Sequence, residues 1–301
     1  MSLAVDTSAL QVFCDYLATT HPVEDSPTAA ASLWLQDKGF YLRPSGQSRV
    51  WNYYSPKSDD YPSGLARVEE RHQFHRLSLS GAALTYLRAH DLFAEWISLL
   101  ASYRHRVTRL DAAVDLPVDA PPLLDALHRQ YPETVNLGRK GVPISRMLQT
   151  RHDGDQTGTW YAGHHTKARR TLRVYDKQWE RLCRDGSFLP PTTRVEATVK
   201  EGASLRDAYA PAAIFWDVVS PSILQAPANA PAWSNNSDIG SWSAPARPPV
   251  DQVSVERRVE NSEEIGALLE YSKRAGSQGA VWAVRAMMRR AKLSLSDLAE
   301  D

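Results

Sequence analysis

The chain has 301 residues, a length that fits one large folded domain or one with a small appendage, and its balance of 43% hydrophobic and 23% charged residues excludes wholesale disorder. Lys plus Arg and Asp plus Glu each total 35, so the net charge is zero and no global field draws the chain onto nucleic acid; such binding must come from local patches. Cys14 and Cys183 lie too far apart in sequence for a thiolate metal site, no signal peptide opens the chain, and no run of about 18 apolar residues occurs. The expected protein is therefore cytoplasmic, disulfide-free and without a membrane span.

Leu10, Phe13 and Leu17 fall near helical spacing, which predicts a short helix over Ala9 to His21 and then a Pro/Ser/Asp loop, together an N-terminal segment 1–34. Extended runs follow at Gly39 to Leu42, Arg49 to Tyr54 and Phe74 to Ser80, the last alternating polar and apolar as a strand with one wet face does. Leu84, Leu87, Leu92, Trp96 and Leu99 then predict a helix over Gly81 to Tyr103. Arg106 to Leu116 reads as a strand and Ala120 to Tyr131 as a helix. Ile144 to Gln149, Gly158 to Gly163, Thr171 to Lys177 and Thr193 to Lys200 read as further strands. The sum is an α+β domain over 35–219, a mainly antiparallel sheet with inserted helices. A Pro/Ala/Ser-rich linker is expected over 220–250, then a small helical segment, 251–301, whose basic latter half carries Lys273, Arg274, Arg285, Arg289, Arg290 and Lys292.

On the strand around Thr108-Arg109-Leu110-Asp111-Ala112-Ala113-Val114-Asp115, alternation puts Asp111, Ala113 and Asp115 on one face. Two carboxylates separated by a small residue can take a hard cation such as Mg²⁺ or Mn²⁺, or they can simply line a wet face. In Thr193-Arg194-Val195-Glu196-Ala197-Thr198 the same device turns Arg194, Glu196 and Thr198 one way, making Glu196 a candidate third ligand or a solvated partner for an arginine. Thr171 to Lys177 sets Arg173, Tyr175 and Lys177 on one strand face, where two cations would favour the phenolate of a tyrosine nucleophile; the plain alternative is a half-buried strand tyrosine. Lys167, Arg169 and Arg170 head a basic cluster beside Trp160 and Tyr161, aromatic rings on which unpaired bases can stack. Arg109 and Arg194, next to the carboxylates, are counted with these nucleic-acid contacts. The pairs His72/His75 and His164/His165 lack the spacing of a metal-binding triplet and are placed at the surface or in turns.

In order and spacing, these runs resemble the replication initiation factor family, Rep_trans. The resemblance covers roughly 35–220 and begins at Phe74-His75-Arg76-Leu77-Ser78-Leu79-Ser80-Gly81. It passes through Thr108-Arg109-Leu110-Asp111 to Gly158-Thr159-Trp160-Tyr161-Ala162-Gly163, and ends on Arg173-Val174-Tyr175-Asp176-Lys177, Glu180 and Arg194-Val195-Glu196. His164-His165-Thr166 departs from the family's usual turn.

What the resemblance implies is a rolling-circle initiator of the phage and small-plasmid kind, which nicks one strand at a replication origin and joins its tyrosine to the 5′ phosphate. Tyr175 would be the nucleophile, with Tyr161 second choice; Asp111 and Glu196, with Asp115, would hold Mg²⁺ or Mn²⁺; Lys177 and Arg173 would stabilise charge. Origin DNA, a host helicase and a DNA polymerase would be its partners, since no phosphate-binding loop of a motor is present, and the sequence leaves dimerisation open. A non-catalytic origin-binding or copy-control protein, and the relaxase of an integrative element, are the competing expectations.

Overall fold

The computed structural model describes residues 9–57, 62–137, 141–151, 154, 156–164, 168–186, 188–219 and 223–233, all within one unit, Met1–Ala244. The basic helical segment, Lys167 and His165 lie outside the described residues. Among those described, the structure is α+β, with one antiparallel sheet of eleven strands as its backbone. These are β1 (Phe13–His21), β2 (Tyr41–Pro44), β3 (Val50–Tyr54), β4 (Leu65–Glu70), β5 (His75–Ser80), β6 (Arg106–Leu116), β7 (Thr134–Asn136), β8 (Gly141–Thr150), β9 (Gln156–Ala162), β10 (Arg170–Asp176) and β11 (Thr193–Val199). They lie in the order β2-β3-β4-β5-β1-β6-β11-β10-β9-β8-β7.

Alternation decides which side of the sheet is dry. Leu110, Ala112 and Val114 of β6, Val195, Ala197 and Val199 of β11, and Leu172 and Val174 of β10 are all fully buried on one face. Each large side chain buried there contributes about 1.5–3 kcal/mol, so a one-residue slip, which would exchange them for Asp111, Glu196 and Arg173, is strongly disfavoured. Helices α1 (Thr28–Asp37), α2 (Gly81–Ala89), α3 (Phe93–Ala101), α4 (Ala120–Gln130), α6 (Leu205–Tyr209) and α7 (Ala212–Val218) add Leu35, Leu84, Trp96, Leu124, Leu205 and Phe215 to the same apolar cluster. Helix α5 (Lys177–Asp185) stands apart from it and borders the opposite, polar face.

The largest departure from the sequence reading is at the N-terminus. The 1–34 segment, expected as helix and loop, contains β1, which pairs with β5 on one side and β6 on the other at the centre of the sheet. Its register shifts between Cys14 and Tyr16, so Asp15 is an inserted residue, and this bulge breaks the period of two by which a strand is recognised. The loop expected after it holds α1, and β4 was not anticipated. The single helix expected over Gly81 to Tyr103 is two, interrupted where Asp91 takes a φ of +58°.

Lys177 does not continue the strand of Tyr175 but opens α5, capped by the Asp176 carboxylate, which accepts from the Trp179 N–H at 2.9 Å. The stretch expected as a linker begins packed, since Ile223 and Leu224 are fully buried.

Candidate active site

The polar face of the three adjacent strands β6, β11 and β10 gathers most of the predicted residues. Across β10 and β11, Arg173 stands opposite Glu196 and Tyr175 opposite Arg194; across β11 and β6, Glu196 stands opposite Ala113, Arg194 opposite Asp115 and Thr198 opposite Asp111. Each carboxylate has an arginine. Arg109 donates to both oxygens of Asp111 at 2.9 and 2.5 Å, Arg194 to both oxygens of Asp115 at 2.6 and 2.7 Å, and Arg173 to Glu196 Oε2 at 2.5 Å.

The arginines are themselves laid on aromatic rings: Arg109 on Tyr16 at 4.5 Å, Arg173 on Tyr175 at 4.8 Å and Arg194 on Phe13 at 4.9 Å. Such stacking favours the planar guanidinium over an ammonium.

Glu196 is not the solvated partner that an isolated strand suggests. It is fully buried, its Oε1 has no hydrogen-bond partner, and burial together with the nearby Asp111 charge pushes its pKa up to about 8 against the pull of Arg173. Tyr175 also departs from expectation. Burial raises its pKa well above that of a free phenol, and the Arg194 and Arg173 charges offset this only in part, so the cations beside it do not by themselves favour the phenolate. Its ring lies outside the apolar cluster and lines a cavity on the polar face. Lys177 reaches the same ring from α5, at 5.7 Å, while paired with Glu180 at 2.7 Å; burial and then Arg194 lower its pKa.

Two residues of this face escaped the sequence reading because they belong to β1. Asp15, in the bulge, accepts from Arg194 Nη1 at 2.8 Å, and Tyr16 supports Arg109. The backbone of Gly81 passes so close that a β-carbon there would lie 2.1 Å from Asp15 Oδ1. A sequence signal existed for α5, since Asp176 and Gly186, with a φ of +70°, are the capping residues of a nine-residue helix. Asp176 is also held by Arg151 and by the Thr157 hydroxyl, which fixes the end of β10.

The nucleic-acid contacts fare unequally. Trp160 is fully buried on the apolar face and cannot stack on a base, because alternation turns it away from Tyr161. Tyr161 lines the cavity with Tyr175. Arg169 is exposed and paired with Glu201, and Arg170 bonds Asp217 and lies 4.9 Å from the Trp233 ring. Arg109 and Arg194 are committed to carboxylates, so they position the site. His75 bonds Ser26 at the start of β5.

For a divalent cation, the donor set fits in part. Glu196 offers a buried oxygen without a partner, and its pKa is raised first by burial and then by the Asp111 charge beside it. Asp115 has both oxygens on Arg194 and Asp111 both on Arg109, so each anchors an arginine, and Asp111 would have to release Arg109 to ligate an ion. Among the described residues, no three His, Cys, Asp or Glu side chains converge as a ready-made metal group, and no helix is long and apolar enough to cross a membrane.

No protein-family model and no curated protein sequence matches the chain. Among solved structures it is similar to a rolling circle replication initiator protein from Geobacillus stearothermophilus, at 17% identity and a TM-score of 0.42, over 64% of this chain and 74% of that one. It is also similar to the di-domain ARO/CYC protein BexL of the BE-7585A biosynthetic pathway, at 14% identity and a TM-score of 0.17, over 54% of this chain and 65% of that one. At such values neither likeness assigns an activity.

Proposed function

We propose that the protein is a rolling-circle replication initiator that cuts and rejoins one DNA strand with Tyr175 as its nucleophile. One observation carries this reading: three adjacent strands set a tyrosine (Tyr175) and two buried carboxylates (Glu196, Asp111) on one polar face, with Arg173 touching both the phenol ring and Glu196. The motif order shared with replication initiation factors supports it.

In this reading Tyr175 Oη attacks the scissile phosphorus, its proton leaving to water in the cavity. The bond from phosphorus to the 3′ oxygen breaks, that oxygen takes up a proton, and the 5′ phosphate stays on the tyrosine. Arg173 and Lys177 stabilise charge on the phosphoryl oxygens as it develops. Glu196 and Asp111 would hold Mg²⁺ or Mn²⁺, with Asp111 giving up a bond to Arg109 to do so. The ion would supply polarisation of the phosphate and would ease ionisation of the buried phenol. Origin DNA is the substrate, a helicase and a polymerase are the partners that extend the free 3′ end, and the basic segment beyond 250 is available for duplex contacts.

The second reading, a non-catalytic origin-binding protein, is favoured by the arginine pairing of all three carboxylates. One experiment separates them. Purified protein, supercoiled origin plasmid and Mg²⁺ or Mn²⁺ should give open circles with protein on the 5′ end, and Tyr175→Phe should give none. An adduct that persists in Tyr175→Phe moves the nucleophile to another residue, with Tyr161→Phe the next variant; no cutting by the wild type leaves the binding protein.

A further inference from the structure

The cavity beside Tyr175 is larger than a phosphate alone requires. Its volume is about 390 Å³, and it lies between the polar face of β8–β9–β10 and helix α5. Three aromatic rings from three different elements line it: Tyr161 of β9, Tyr175 of β10 and Trp179 of α5. Gln149 and Thr159 supply polar groups, while the guanidiniums of Arg173 and Arg184 reach it alongside the carboxylates of Asp176 and Glu180, Arg184 being paired with Glu180. The strand spacing that shapes its floor depends on Gly158, whose φ of +143° and approach to the Met147 carbonyl leave no room for a β-carbon; one would lie 1.9 Å from that oxygen. Flat apolar rings combined with amide, hydroxyl and guanidinium groups suit a flat heterocycle joined to a phosphate.

We propose that this cavity holds one unstacked base of single-stranded DNA, the base next to the phosphate that Tyr175 attacks. The position of the base relative to the nick rests on the nucleophile reading; base binding itself needs neither the phenolate nor a metal. Tyr161 and Trp179 supply the stacking surface, and Gln149 and Thr159 supply donors and acceptors for the base edge. The cavity thus adds a contact with the base itself to the backbone contacts of the basic residues.

Cys183, exposed on α5 and lining the same cavity, is a built-in reporter. The other cysteine, Cys14, is fully buried with its pKa pushed up to about 12, so an alkylating reagent reads Cys183 alone.

Full-length protein in EDTA, where no strand is cut, is alkylated with iodoacetamide under three conditions: alone, with a thymidine oligonucleotide of roughly 16 residues, the upper span of a single-stranded site, and with an abasic deoxyribose-phosphate oligomer of equal length. Both oligomers are brought to saturation by fluorescence anisotropy. The thymidine oligonucleotide should slow alkylation of Cys183 by about tenfold and the abasic oligomer should leave it nearly unchanged, with Tyr161→Leu removing most of that difference. Equal protection by both oligomers, or by neither, overturns the base site, and this comparison on the wild type stands even if Tyr161→Leu does not fold. Base-dependent protection in a protein that never nicks keeps the base site and removes the nucleophile; nicking without base-dependent protection does the reverse.

Discussion

Glu196 shows how one residue's position sets its chemistry. A free glutamate loses its proton near 4.5, but here burial and Asp111 hold the proton up to about pH 8. The folded state therefore binds more protons than the unfolded state in that window, and stability must fall as pH rises from 4.5 towards 8. Glu196→Gln keeps the shape and cannot ionise. Without divalent cation, it should be more stable than the wild type at pH 8 and about equal at pH 4.5 by urea unfolding, while nicking activity is lost. If both proteins show the same pH dependence, Glu196 is ionised throughout. The pairing of acids with stacked arginines was only half legible: the sequence shows that Asp111, Asp115, Glu196 and Arg194 alternate outward, but not which acid meets which arginine.

At the scale of elements, β1 is the strand on which the site depends and the one its own residues disguise. Leu10, Phe13 and Leu17 mimic a helix because the bulge at Asp15 removes strict alternation. Gly81, the first residue of α2, is the counterpart of that bulge. An alanine inside a helix normally adds up to about 1 kcal/mol over glycine. Gly81→Ala should have the opposite sign, losing roughly 1–3 kcal/mol in thermal unfolding, because its β-carbon occupies the place of the Asp15 carboxylate that Arg194 needs.

The other end of β1 is tied down by His21, which is fully buried between the Arg104 carbonyl, accepting from Nδ1, and the Thr19 hydroxyl at Nε2. Burial lowers its pKa from 6.5 to about 4, so the folded state favours the neutral ring. Its contribution is complete above pH 6.5 and is lost as pH falls from there to about 4, a loss of about 3 kcal/mol. His21→Gln should therefore lose less stability than the wild type between pH 7 and 4; an identical acid slope in both proteins would show that His21 protonates freely in the folded state.

For the whole molecule, the sheet order sets a gradient of local stability. β1, β6 and β11 are central, paired on both sides and covered by helices on one face, whereas β8 near one edge is largely exposed. Amide hydrogen exchange should be slow in β1, β6 and β11 and faster in β8, which would make the outer wall of the cavity easier to open than the strands at the centre. Equal protection of β8 and β6 would contradict this.

By itself, the sequence determined the α+β class, the strand character of β6, β9, β10 and β11, and the polar face that Asp111, Glu196 and Tyr175 share. Those properties follow from side-chain alternation, which is local and can be counted along the chain. Only the tertiary structure decided that β1 lies between β5 and β6, that Asp15 reaches Arg194 across 179 residues of chain, that Trp160 faces the core, and that burial raises rather than lowers the Tyr175 pKa. Strand order, burial and the balance between desolvation and charge depend on neighbours far away in sequence, and no local pattern records them.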